Sequence, residues 1–257
     1  MLEVRQRLHP RRPDEMRLVY PRRSRVASSA VIALLCALPV LAVGLAPFAG
    51  ALPEDAAAVD EPPAAVLAAA ADGLAPLLAA IPPGAERHFR FASRAELARA
   101  ELDRPLRVFT LDPAEIRASA SGTGPPPELV PTSLWIFPVV CDGEPRTLLT
   151  VDRLAGRWAA VDIGGLSPAV DMYACSYDWP DHEGYRRRYV RVFAAASQFI
   201  AVSRDGETRL IPLETTARAL GLLASGRAYD AAPLELADVV QALTGHLDAV
   251  PADGDAR

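Results

Sequence analysis

Residues 134–163 read LWIFPVVCDGEPRTLLTVDRLAGRWAAVDI, and the fold turns on them. LWIFPVV is apolar at both alternating sets of positions, as in a strand buried within a sheet, and Pro138 inside it marks an edge or a bulge. Asp142-Gly143 is a strong hairpin signal, so TLLTVD pairs antiparallel with the run before it. Gly156, between Leu154 and Arg157, then turns the chain into RWAAVDI. Three short strands with tight connections form a meander.

Upstream, Leu106 to Leu111 predicts a strand that stops at Asp112-Pro113, and SGTGPPPELVP is a Gly/Pro loop. Leu74, Leu77, Leu78 and Ile81 fall on one helix face, with a kink or fresh start expected at Pro76 and an end at Pro82-Pro83-Gly84. Ser93 and Glu96 have capping-box spacing, which predicts a short helix near 93–102. Downstream, Gly164-Gly165 breaks the strand, Leu166 to Ala174 is expected to form a helical turn, and CSYDWPDHEGY (175–185) reads as a loop. Tyr185 to Phe193 is a strand, and Asp205-Gly206 marks another hairpin within QFIAVSRDGETRLIPL. Helices are expected at Glu214 to Leu223 and from Pro233, through Leu236, Val239, Val240 and Leu243, to a C-cap at Gly245.

These elements predict an α+β fold: a single antiparallel β-sheet of about five to seven strands, built from hairpins and a meander, packed with N- and C-terminal helices. The order of elements is compatible with a sheet that wraps a helix, as in cystatin-like folds, but no family signature accompanies it.

The N-terminus has a separate character. Up to Val26 the chain carries eight Arg against Glu3, Asp14 and Glu15, and the nearly uncharged run that follows ends at Ala49-Gly50-Ala51. This is the pattern of an export signal with a small-x-small cleavage site. The apolar run from Val26 to Leu45, about 20 residues, is also long enough to serve as an uncleaved membrane anchor. Residues 1–51 are therefore expected to be a signal peptide or anchor, 52–63 a flexible acidic Ala/Pro linker, 64–248 a single domain and 249–257 a disordered tail. Either reading places the domain outside the cytoplasmic membrane, secreted or periplasmic, with membrane contact only through the N-terminal segment.

Beyond Val26 the chain holds 19 Arg and 29 acidic residues, a net charge of −10. Such a balance argues against a nucleic-acid partner, which needs a basic footprint. Lys and Asn are absent while Ala, Arg and Pro abound, as in a GC-rich bacterial coding sequence. Cys141 and Cys175 form an even pair in an oxidising compartment and are expected to make one disulfide. Closing that loop would stabilise the fold by roughly 3 to 4 kcal/mol.

The 175–185 stretch concentrates reactive side chains. A Cys175–His182 nucleophile pair is disfavoured because neighbouring carboxylates oppose thiolate formation. Asp178, Asp181, His182 and Glu183 lack the spacing of a calcium loop or a zinc site, and no metal or cofactor is expected. Arg186, Arg187, Arg188 and Arg191 alternate between the two faces of their strand and supply counter-charges to these acids. Ser176, His182 and Asp178 lack a nucleophile elbow. Asp152 and Asp162 are candidate paired carboxylates, although both sit at strand ends.

Trp179 stands out, an indole flanked by acids. The expected binding residues are Trp179 with Asp178, Asp181, His182 and Glu183, on an exported non-enzymatic binding or accessory domain that recognises a protein or other extracytoplasmic ligand. The alternative is a secreted hydrolase with an acidic site near 178–183. A pocket that gathers His182 with Asp152 or Asp162 would favour the enzyme.

Overall fold

A long helix opens the domain because prolines bracket it and small residues let it lie close to a sheet. The computed structural model describes residues 60–222 and 232–247; the expected signal or anchor, the linker as far as residue 59 and the C-terminal tail lie outside the described residues. Helix α1 (Ala64–Ala80) runs through Pro76 without a new start and buries Val66, Ala70 and Leu78. A short helix α2 (Arg94–Leu97) follows. Its expected capping box does not form: the Ser93 side chain caps nothing, and Glu96 Oε2 accepts from the Ala92 amide at 2.7 Å instead of the Ser93 amide.

A two-residue strand β1 (Glu101–Leu102) and β2 (Leu106–Thr110) lead to helix α3 (Pro113–Ala120), where the Asp112 side chain accepts from the Ala114 amide. The meander then appears as β3 (Val130–Cys141), β4 (Glu144–Leu154) and β5 (Arg157–Gly164). Helix α4 (Leu166–Asp178) leads to β6 (Arg186–Val192), β7 (Ser197–Arg204) and β8 (Glu207–Pro212). Helices α5 (Glu214–Ala219) and α6 (Leu236–Leu247) complete the order.

The three hairpins have two-residue turns with both central φ angles positive: Asp142-Gly143 (55°, 78°), Ala155-Gly156 (50°, 80°) and Asp205-Gly206 (53°, 86°). Such primed turns match the right-handed twist of the strands they join. Pro138 lies where β3 changes partner. β2 pairs with it as far as Ile136, β1 pairs with it at Val139 and Val140, and the Asp103 amide donates to the Pro138 carbonyl at 2.8 Å. The pairing of β3 with β4 shifts register between Val139 and Val140, immediately beyond the proline.

The sheet has eight strands in the order β5-β4-β3-β2-β6-β7-β8, with β1 beside β3. It exceeds the expected five to seven strands and is not wholly antiparallel, because β2 and β6 run parallel through Val108–Tyr189 and Phe109–Val190. Helices cover both faces, so the sheet does not wrap a single helix. On one face, α1 closes over Trp135, Phe137, Leu149 and Val151, and α3 with α6 closes over Phe109, Val190, Phe199 and Leu210. On the other, α4 packs over Val108, Ile136, Leu148, Tyr189 and Ile200.

Several expectations are corrected. Cys141 and Cys175 are both free and buried. Cys141 belongs to the α1-side core and Cys175 to the α4-side core, so the sheet separates the two thiols. Gly165, at φ 81°, starts α4, which continues through Cys175 to Asp178 and absorbs the first third of the expected loop. Gly245 lies inside α6 rather than capping it. Leu234, next to Pro233, pairs with Leu210 as an isolated bridge.

Gly73 shows how closely α1 sits on the sheet: a Cβ there would lie 2.2 Å from Ala160 Cβ on β5. Gly-to-Ala inside a helix ordinarily gains about 0.5–1 kcal/mol. Here Gly73→Ala is expected to cost about 1–3 kcal/mol, since the methyl group must displace a packed strand. Denaturant midpoints measure it, and Ala160→Gly in the same chain is expected to restore most of the loss.

Candidate functional site

The stretch Cys175 to Tyr185 has three consecutive conformations, set by its own residues. The Trp179 amide closes the last turn of α4 on the Cys175 carbonyl at 3.0 Å, and Pro180 prevents the helix from continuing. Asp181–Glu183 form a single 3₁₀ turn that ends at Gly184, φ 86°. Tyr185 then leads into β6.

Trp179 is half-buried and packs against the α4-side core. It is not a freely projecting side chain. Asp181 is held by two arginines. Its Oδ2 accepts from Arg104 and from Arg187 Nη2 at 3.0 Å. Arg187, only 11% exposed at its side chain, also directs Nε to Oδ1 at 3.4 Å. This carboxylate therefore ties the turn to β6 and to the segment before β2. Asp178, His182 and Glu183 are exposed.

The stretch contributes two aromatic residues to a groove of about 420 Å³. Trp179, Tyr185 and Val202 line it together with Arg204, Glu207 and Arg209 of the β7–β8 hairpin. The Arg204 guanidinium lies 5.0 Å from the centre of the Tyr185 ring and its Nε is 3.3 Å from Asp205 Oδ2. Arg209 pairs with Glu235 at 2.5 Å. Both cations thus have acidic neighbours, and the groove offers aromatic surface and hydrogen-bonding groups without a large excess of either charge.

Of the five expected binding residues, only Trp179 lines this groove. Tyr185 was inside the quoted stretch, and Arg204 follows Ile200 and Val202 at strand period two, which places it on the α4 side of the sheet. The convergence of these side chains depends on the pairing of β6 with β7, where Arg186 faces Ser203. No short sequence pattern encodes that.

The candidate catalytic groups occupy other places. Asp152 accepts from Ser133 Oγ at 2.6 Å and from the Arg153 amide at 2.7 Å, while Asp162 is exposed on β5 opposite Thr150. Asp152, Asp162 and His182 do not line the groove. Ser176 Oγ donates to the Tyr173 carbonyl at 2.7 Å. Burial pushes the Cys175 thiol up to about 12, with the charges of Asp171 and Asp178 adding to the shift, so it stays protonated at neutral pH. Among the described residues, no three His, Cys, Asp or Glu side chains converge as a metal set would.

No protein-family model, no curated protein and no solved structure matches this chain.

Asp171 is a buried carboxylate on α4, 6% exposed, whose Oδ2 accepts from the Glu214 amide at 2.7 Å and so caps the start of α5. Burial raises its pKa from 3.8 to about 6, with the Glu214 hydrogen bond opposing the shift. Between about pH 4 and 6 the folded state therefore holds more protons than the unfolded one, and stability falls as pH rises through that window. The full loss, about 3 kcal/mol at 1.36 kcal/mol per unit, is present above pH 6. Asp171→Asn keeps an acceptor for Glu214 and removes the charge. Its thermal midpoint is expected to exceed that of the wild type at pH 8 and to converge with it near pH 4.

Proposed function

We propose that this chain is an exported, non-enzymatic binding or accessory domain that works outside the cytoplasmic membrane and recognises a segment of a partner protein. The export half of the reading rests on the arginine-rich N-terminus, the apolar run and Ala49-Gly50-Ala51. No helix among the described residues is long and apolar enough to cross a membrane.

The observation that carries the binding half is the groove itself: Trp179, Tyr185, Arg204, Glu207 and Arg209 line about 420 Å³. Aromatic side chains and arginine are the groups that contribute most at protein contacts, because they combine large area with directional hydrogen bonds. The groove also lies against β8, the last strand in the sheet order. On that edge Leu210 already exchanges both main-chain hydrogen bonds with Leu234, so a peptide in the groove is recognised through side chains, chiefly the aromatic pair.

A displayed peptide library selected against the full chain tests this reading. Bound peptides are expected to change the indole fluorescence, to lose that change with Trp179→Phe, and to bind Tyr185→Ala at least tenfold more weakly. Peptides that bind wild type and both variants equally would place recognition elsewhere and remove the groove from the account.

A further inference from the structure

On the face opposite the groove, Arg188 Nε and Nη2 donate to the two oxygens of Asp60 at 2.9 Å each. Two parallel bonds of this kind recognise a planar carboxylate and not merely a negative charge. Arg188 is held for the purpose. Its guanidinium lies 4.8 Å from the centre of the Phe109 ring, and Phe109 is fixed beside it by the parallel pairing of β2 with β6.

Arg107, two residues before Phe109 on the same strand, shares this face. Its guanidinium lies 5.8 Å from the Trp135 ring centre, and its Nε donates to the Thr132 carbonyl at 3.1 Å. Burial lowers its pKa and the charge of Asp60 raises it, so the carboxylate acts on both arginines. Two guanidinium groups thus lie over two buried aromatic rings at the centre of the sheet.

Asp60 reaches it from a distance of 128 residues in sequence. It precedes Pro62-Pro63 and the first turn of α1, at the end of a segment that also contains Glu54, Asp55 and Glu61. The Asp60 and Arg188 side chains remain 33% and 31% exposed. A second carboxylate can therefore approach the same guanidinium from solvent.

We propose that the Arg188 guanidinium, stacked on Phe109 with Arg107 on the same face, is a carboxylate-binding site for acidic peptide segments, filled in this structure by the chain's own Asp60. The site is separate from the groove at Trp179. Its cis occupant competes with any acidic segment from another chain, so withdrawal of Asp60 opens it.

The test uses the full chain and a capped hexapeptide, AVDEPP, which copies residues 58–63. Binding is measured by isothermal titration calorimetry in every variant, and the side-chain Nε resonance of Arg188 locates it in the chains that keep the arginine. Asp60→Ala is expected to bind the peptide at least tenfold more tightly than the wild type does. The counterpart peptide carrying Asp60→Asn is expected to bind at least tenfold more weakly than AVDEPP, and Arg188→Ala in the Asp60→Ala chain to abolish binding. If Asp60→Ala fails to fold, Asp60→Asn empties the site of charge with almost no change in shape and is measured in its place. Equal affinity for wild type and the Asp60 variant, or binding that survives Arg188→Ala, would overturn the proposal.

Discussion

The parallel contact between β2 and β6 is the constraint on which the rest of the molecule depends. Only Val108–Tyr189 and Phe109–Val190 define it, yet it joins β5-β4-β3-β2 to β6-β7-β8. Hairpins alone cannot make such a joint, because neighbouring parallel strands require the chain to cross a face of the sheet. Helix α4 makes that crossing between β5 and β6 and lies on the face opposite α1. With helices on both faces, the central strands lose contact with water on each side. Val108 and Phe109, adjacent in sequence, are both buried, at 0% and 5% exposed, in different core clusters.

The joint also sets the chemistry of both surfaces. Arg187 and Arg188 are consecutive on β6 and point to opposite faces, where each meets a carboxylate from a distant segment. Arg187 holds Asp181 and so fixes the turn between Trp179 and Tyr185. Arg188 holds Asp60 where the chain enters the domain. Surface pairs of this kind add only about 0.2–1 kcal/mol each to stability; their larger effect is to choose positions for loops whose backbones would otherwise have several. Asp171 works differently. It is buried, it caps α5, and its charge costs stability at neutral pH.

Much of the sheet was legible because hairpins are local. Asp142-Gly143 and Asp205-Gly206 announce turns that need positive φ, and the flanking runs alternate as strands do. Helix α3 was not expected, although its start is written in the sequence: Asp112 at the N-cap, Pro113 at the first position and Glu115 in the first turn. Helix α4 was under-read because its last turn, Cys175 to Asp178, carries polar residues that suit a loop equally well. The disulfide expectation had no geometric control. Cys141, two residues after Val139 on a strand, shares its α1-side face, while Cys175 follows Met172 by three residues on α4 and faces the sheet from the other side. The β2–β6 pairing, the groove and the Asp60 contact join residues far apart in sequence. Nothing in local periodicity specifies which strands become neighbours.

The most direct test is a nuclear Overhauser measurement of backbone protons across the centre of the sheet. The account predicts contacts that link Val108 with Tyr189 and Phe109 with Val190, advancing in the same direction along both strands. If β2 and β6 show no contact, or if the contacts run in the reverse order, then the two meanders are not joined as described, and both the groove and the carboxylate site at Arg188 lose their structural basis.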